Sequence, residues 1–538
     1  MQTTASPEPR TPGAPVSAIP AAPRRAAATV ALACVGVFVS YLPVVGVSTS
    51  LPVLQQALGA STVGLQWITD AFILPTAALL LTCGMLGDLY GRKNVYLAGL
   101  LLSVLGCLVC LTANGVAQVC AGQALTGVGT AALLPSTLAL ISQARPAPRE
   151  RATAIALWTA ALGLGLTLGP LLNGLIVEHA SWRWMFLPAL LVAVVTGVTG
   201  ALVLAESRST RERHPDLPGQ LLAIVAVTAL VYGVIEGGSA GWGSIGALLG
   251  FVVPALALPA FVVAELRSPC PMLDMRLFAS PAFSGAAFVM ALTLFAQVGL
   301  VFALSEYFGL VHHASTWDIG LRLLALNGFT VVLGPLVGRL MRRSTPPGLL
   351  LVSGLAVGGV GALCVGLFHA DTGTGTAALV IAVLGVGIAL AMAPITTIAM
   401  DSLPGRLAST AGAANSALRQ IGSALGPAVF GVVLTERTLS ALPGELADSG
   451  LDHAGQAQVQ GLVSDAGIQA GAFLHLDSAR DTARALTAYG DSFTAALHTC
   501  ALVGGTGMLL AAVVAAVTIG VRPEAARRGE GDYGRDGP

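Results

Sequence analysis

Apolar residues in this chain come in long runs and not in alternation. Residues 221–235 read LLAIVAVTALVYGVI, with no polar period of two and no charge. A membrane-spanning strand alternates apolar and polar positions over about 10 residues, so the pattern predicts helices. Each run is about 20 residues long, the length a helix needs to cross roughly 30 Å of hydrocarbon at about 1.5 Å per residue. Fourteen spans are predicted, at 29–51, 65–87, 95–113, 117–142, 152–177, 185–204, 218–236, 244–264, 281–306, 317–338, 348–369, 376–400, 408–434 and 493–519. The fold class is therefore an all-α membrane protein.

The polar positions between the runs set an orientation. Placing both termini in the cytoplasm puts 21 of the 27 basic residues on that side, in line with the positive-inside rule. Arg183, Arg322, Arg437, Arg480 and Arg484 then lie outside, and Arg419 sits within the thirteenth span. A missed or extra span would swap all later loops and destroy the asymmetry. Residues 1–28, rich in Pro and Ala, read as a disordered cytoplasmic tail, and 520–538 as a second tail. Residues 435–492 form a long extracytoplasmic loop with acids from Glu436 to Asp491. It reads either as a gating lid or as a solvated or partly helical excursion.

Composition agrees with the pattern. The chain is 55% hydrophobic and 10% charged, where soluble domains carry about 25% charged residues. Lys93 is its only lysine. With so much Ala, Gly and Leu, this points to a high-GC bacterial source and a bacterial inner membrane. The net charge is +0 and no basic block stands out, so no nucleic-acid partner is expected. Seven of the eight cysteines fall in apolar runs, and no disulfide framework is visible. Cys107 and Cys110 form a CxxC with no second pair, so neither a metal nor a cofactor is expected. No GxxxxGK[ST] sequence is present, and the chain carries no P-loop ATPase of its own.

Two stretches echo each other. GMLGDLYGRK, residues 84–93, follows the second span, and GPLVGRLMRR, residues 334–343, follows the tenth. Gly165-xxx-Gly169-Pro170 in the fifth span recurs as Gly422-xxx-Gly426-Pro427 in the thirteenth. Small-xxx-small patterns are common in membrane helices. Both echoes, however, keep one register when the ninth span is counted as a new first. They imply two six-helix halves, 29–205 and 281–519, with an inserted helix pair in 206–280. Related halves around a midplane site are the architecture of a secondary transporter.

GMLGDLYGRK resembles the signature loop of the major facilitator superfamily, roughly GxLxDRxGRK. Gly84, Leu86, Asp88, Gly91, Arg92 and Lys93 match, and Leu89 replaces an Arg. The resemblance implies a latch in which Asp88 meets a neighbouring helix N-terminus, where anions are favoured. GLGLTLGPLLNG, residues 163–174, resembles the family's antiporter motif GxxxGPxxGG, with Gly165, Gly169, Pro170 and Gly174 in place and Asn173 for one Gly. HASWRWMF (179–186), LQWITDAFIL (65–74), DLPGQLL (216–222) and SALRQIGSALG (416–426) are similar to the 14-helix drug–proton antiporter branch. That branch implies export of a small amphipathic drug, antibiotic or natural product by proton antiport. The expected partners are the substrate, protons and the lipid bilayer, and the expected state is a monomer.

The chain departs from that branch at two positions tied there to proton coupling. Pro43 stands where the first span usually carries an Asp, and Gln123 where the fourth carries an Arg. Losing both leaves no unpaired charge. Asp70 in the second span is a candidate relocated proton site facing the kink at Pro43, or else an outer-interface Asp in water. Glu306 and Glu236 fall near outer span ends and read as solvated caps or pathway groups. Arg419 needs a partner or a water-filled cavity; it either lines the pathway or bonds backbone carbonyls. His312 and His313 at the outer rim lack further metal ligands. An uncoupled facilitator, and a membrane sensor or scaffold that moves nothing, are the alternatives to an exporter.

Overall fold

The computed structural model describes residues 23–206, 216–268, 271, 273, 275–342, 345–401, 408–472, 474–476 and 478–520. Among the described residues sixteen α-helices run in the order α1 (Pro23–Thr49), α2 (Leu51–Leu58), α3 (Thr62–Tyr90), α4 (Arg92–Leu111), α5 (Val116–Ala144), α6 (Pro148–His179), α7 (Leu187–Val203), α8 (Leu217–Ala240), α9 (Ile245–Arg267), α10 (Pro281–Leu310), α11 (Thr316–Arg342), α12 (Pro347–Cys364), α13 (Thr374–Asp401), α14 (Ala408–Asp448), α15 (His453–Ala466) and α16 (Ala479–Thr518). Fourteen are long and apolar enough to span a membrane, all but α2 and α15. Each predicted span falls on one of them. Their large exposed residues, such as Leu202, Ile245, Leu256 and Val517, form the surface a bilayer would cover. No strand occurs among the described residues.

The two six-helix halves repeat one set of contacts. In the first, α1 packs on α6, α3 on α5, and α4 on α5 and α7. In the second, α10 packs on α14, α11 on α13, and α12 on α13 and α16. Counting α10 as the equivalent of α1 converts one set into the other. The inserted helices α8 and α9 pack on each other, and α8 also touches α3 and α14. Gly233 and Gly250 allow that pairing, because a Cβ on either would strike the other's backbone.

With fourteen crossings, α1 starts and α16 ends on one side, called here the terminal side. The halves meet toward the opposite, far side, through α6 against α11 and α3 against α14. A Cβ on Gly174 would lie 2.6 Å from the Trp317 Cα, so the α6 and α11 backbones nearly touch. Gly431 on α14 lies against the Gln66 side chain on α3.

Three boundaries differ from the sequence reading. Helix α1 begins at Pro23, inside the predicted tail 1–28. Helix α14 continues to Asp448, and α16 starts at Ala479 rather than near 493. The charges that end the hydrophobic signal do not end the helices. In the α14 extension Thr438, Leu442 and Leu446 are buried one turn apart, and in α16 Ala485, Ala488, Tyr489, Ser492 and Phe493 form a buried stripe. Val459, Val463, Ile468 and Leu474 complete a core continuous with α10 and α16. The described residues of 435–492 thus form a packed, largely helical cap, in line with the partly helical form of the excursion and not with the solvated one.

Candidate functional site

Gly91 joins α3 to α4 at φ +101, a conformation that favours glycine, and a side chain there would collide with the Glu206 carboxylate. This turn aims Arg92 at a carbonyl in the C-terminal part of α5 and Lys93 at the last turn of α7. Arg92 Nη1 donates to the Ala139 carbonyl of α5 at 3.3 Å, and Lys93 Nζ to the Ala201 carbonyl of α7 at 2.7 Å. Cations are favoured at such ends. Gly84 lets α3 pack against Pro135 of α5. These contacts all lie within the first half. The Asp88 side chain and residues 402–407, before α14, lie outside the described residues, as do the Ser48 and Asn415 side chains.

The second motif joins the halves. A Cβ on Gly165 would lie 2.9 Å from the Phe38 carbonyl oxygen, and one on Gly169 would lie 2.5 Å from that of Leu42, so both glycines seat α6 on α1. Pro170 touches Gly320, and Gly174 the Trp317 backbone, seating α6 on α11. The echo behaves alike, with Gly422 against Ala291 and Gly426 against Gly299 seating α14 on α10. Asn173 fills the space left by Gly46 on α1, and its Nδ2 is buried without a partner.

Asp70 is 0% exposed, and neither carboxylate oxygen has a hydrogen-bond partner among the described residues. The outer-interface, water-exposed position is therefore not what the fold produces. Gln66, one turn earlier, meets Gly431, and Trp67 pairs with Tyr232 of α8 at 6.4 Å. Ile73 and Leu74 pack with Val231, Val234, Ala424 and Ala428. Helical spacing thus turns Asp70 toward α8 and α14, not toward Pro43. Pro43 is buried within an unbroken α1. Gln123 is buried in α5, its Oε1 unpartnered.

Glu306 is also 0% exposed, close to Tyr489 of α16. It is not a solvated cap, because residues 435–492 cover that end of α10. Glu236 is half-buried beside Gly246. Arg419 donates from Nη2 to the Tyr41 hydroxyl at 2.8 Å, across from α14 to α1. Neither expected role included this phenol. Tyr41, two residues before Pro43, is the group the sequence reading missed; its signal was its place beside the proline of the first span.

On the far side, Tyr307 Oη donates to the His369 carbonyl at 2.5 Å and so accepts from His312 Nε2 at 2.9 Å. Burial first, then Arg322 and His313, hold His312 below its usual range, against a smaller opposite pull from Asp371. No cluster suited to a metal occurs among the described residues.

Comparison with known proteins places this architecture. The description Major Facilitator Superfamily matches residues 33–427. The chain belongs to the major facilitator superfamily. Within the superfamily it is 34% identical to the multidrug resistance protein Stp of Mycobacterium tuberculosis over 74% of each chain. It is 30% identical to the tetracenomycin C resistance and export protein of Streptomyces glaucescens over 92% of each. The crystal structure of a bacterial homologue of the human lysosomal transporter Spinster, inward-facing and unoccupied, matches with a TM-score of 0.58, covering 92% of this chain and 98% of that one at 14% identity. That last likeness concerns the superfamily fold alone.

Proposed function

We propose that this transporter exports a small amphipathic compound, a drug, antibiotic or natural product, across a bacterial inner membrane by alternating access. The observation that carries this reading is α6, whose motif glycines contact α1 in one half and α11 in the other. A helix seated on both halves with almost no side chain between can change its contacts as they rock. The resistance and export roles in the names of Stp and the tetracenomycin C protein support the outward direction. The basic-residue asymmetry supports a cytoplasmic terminal side, and in that orientation the far-side contacts close the path toward the outside. The latch residues Gly84, Asp88, Gly91, Arg92 and Lys93 would hold the opposite state. The working units are residues 29–205 and 281–519, in a monomer.

Proton coupling, where it operates, runs through Asp70. A carboxylate sealed from water without a partner is costly unless a proton neutralises it. Asp70 sits where α3 and α8 meet α14 of the second half, so rocking would expose it. Expression in a pump-deficient host should raise resistance to at least one compound, and a protonophore should cancel it. Asp70→Asn should abolish pH-driven exchange in vesicles, and unchanged exchange would discard this assignment. Pro43 and Gln123, in place of an Asp and an Arg, favour a second reading as an uncoupled facilitator. Transport in vesicles that persists without any pH gradient would select it.

A further inference from the structure

Arg419 carries a charge that the described residues leave without a counter-charge. It lies 11 residues into α14, roughly 16 Å along the axis and about half the hydrocarbon thickness. A guanidinium has five N–H donors. One bonds Tyr41, and the Nε is sealed from solvent without a partner. Asp70 does not serve it. The Gln66–Gly431 contact sets Asp70 level with Pro427, about eight residues and roughly 12 Å from Arg419 along the axis. A cation at this depth needs a partner or a watery cavity. Arg419 is only part-buried. It reaches from α14 of one half to α1 of the other, while the α6–α11 and α3–α14 contacts join the halves.

The wall behind it is apolar and aromatic. Tyr41 packs in one buried cluster with Val37, Leu80 and Trp158, and the guanidinium lies 5.9 Å from the Tyr41 ring centroid. One fixed cation on an aromatic wall recognises a flat organic body carrying one negative charge. We propose that Arg419 and Tyr41 form the anion-binding end of the substrate site, and that the substrates are amphipathic organic anions such as aromatic carboxylates or phenolates. This rests on the exporter reading above for the direction of movement. An anion leaving an inside-negative cell moves down the membrane potential, which alone supports roughly a 50-fold gradient per 100 mV for one charge. Such a substrate needs no proton to be driven out, which gives a physical reason for Pro43 and Gln123 at the usual coupling positions.

The test uses the full chain in nanodiscs and three probes sharing a pyrene body: the carboxylate, its neutral carboxamide and the methylammonium. Tryptophan-to-pyrene energy transfer reads binding. The carboxylate should bind about 10-fold or more tightly than the amide, as for a charge-assisted hydrogen bond, and the ammonium weakest. Arg419→Gln should erase the difference, and Arg419→Lys should keep most of it. Equal binding of all three, preference for the ammonium, or a preference surviving in Arg419→Gln overturns the proposal; the wild-type ranking decides even where a variant fails to fold. In proteoliposomes at equal pH, a potassium–valinomycin potential should drive the carboxylate toward the positive side. Movement of the ammonium alone would keep the exporter and remove the anion site. Carboxylate preference with no movement and no resistance would do the reverse.

Discussion

At the scale of single residues, placement was legible and partnership was not. The sequence showed that Arg419 lies deep in a span and must be satisfied, but which helix face meets which neighbour depends on packing across hundreds of residues. Tyr41, 378 positions away, could not be paired with it from spacing. The water-exposed placements of Asp70 and Glu306 failed in a shared way. Depth was judged along their own helices, yet their burial comes from α14 and from the cap. His312 shows what such burial does to a titrating group. Its folded form resists protonation more than the unfolded chain does, so its stabilisation is complete above the ordinary value of 6.5 and erodes as pH falls below it. Melting midpoints between about pH 7.5 and about pH 5.5 should therefore fall more in the wild type than in His312→Gln. An equal fall in both would show that His312 carries none of the dependence.

At the scale of elements, the glycine motifs are contact surfaces readable from sequence. Gly165 and Gly169 bring α6 onto α1, and Gly422 and Gly426 bring α14 onto α10 by the same geometry. The internal echo was thus a record of equivalent helix contacts. What it left open was the role of Gly174, one turn further, and of its counterpart Gly431, which serve the joints between halves, one against Trp317 of α11 and the other against Gln66 of α3. Valine at Gly174 must push the Trp317 backbone away, since even a Cβ would stand 2.6 Å from the Trp317 Cα. Gly174→Val should cost about 1–3 kcal/mol and open the far side. Spin labels at Glu178 and Asp318 should report a longer distance with substrate efflux reduced. An unchanged distance would mean that the backbones accommodate the side chain elsewhere.

At the scale of the whole molecule, the fourteen spans and the two halves were legible because hydrophobic length and a repeated register are local signals. The cap was not, because its helices carry charge on one side and bury only a narrow stripe, which a hydropathy window averages away. Its core is continuous with the bundle, so Leu446→Ala should remove about 2–5 kcal/mol of local packing. Proteolysis within residues 449–478 should then quicken while the bundle stays intact; unchanged cleavage would mean that the cap draws nothing from that contact. Helices α14 and α16, of 41 and 40 residues, pass from membrane into cap without a break. Each is a rod of about 60 Å, twice the hydrocarbon it crosses. A tilt of about 10° around the membrane midpoint swings an outer end roughly 40 Å away through about 7 Å. The cap is therefore a lever arm on the far side, and an antibody clamped to it would act as a brake on a machine whose working parts are buried in lipid.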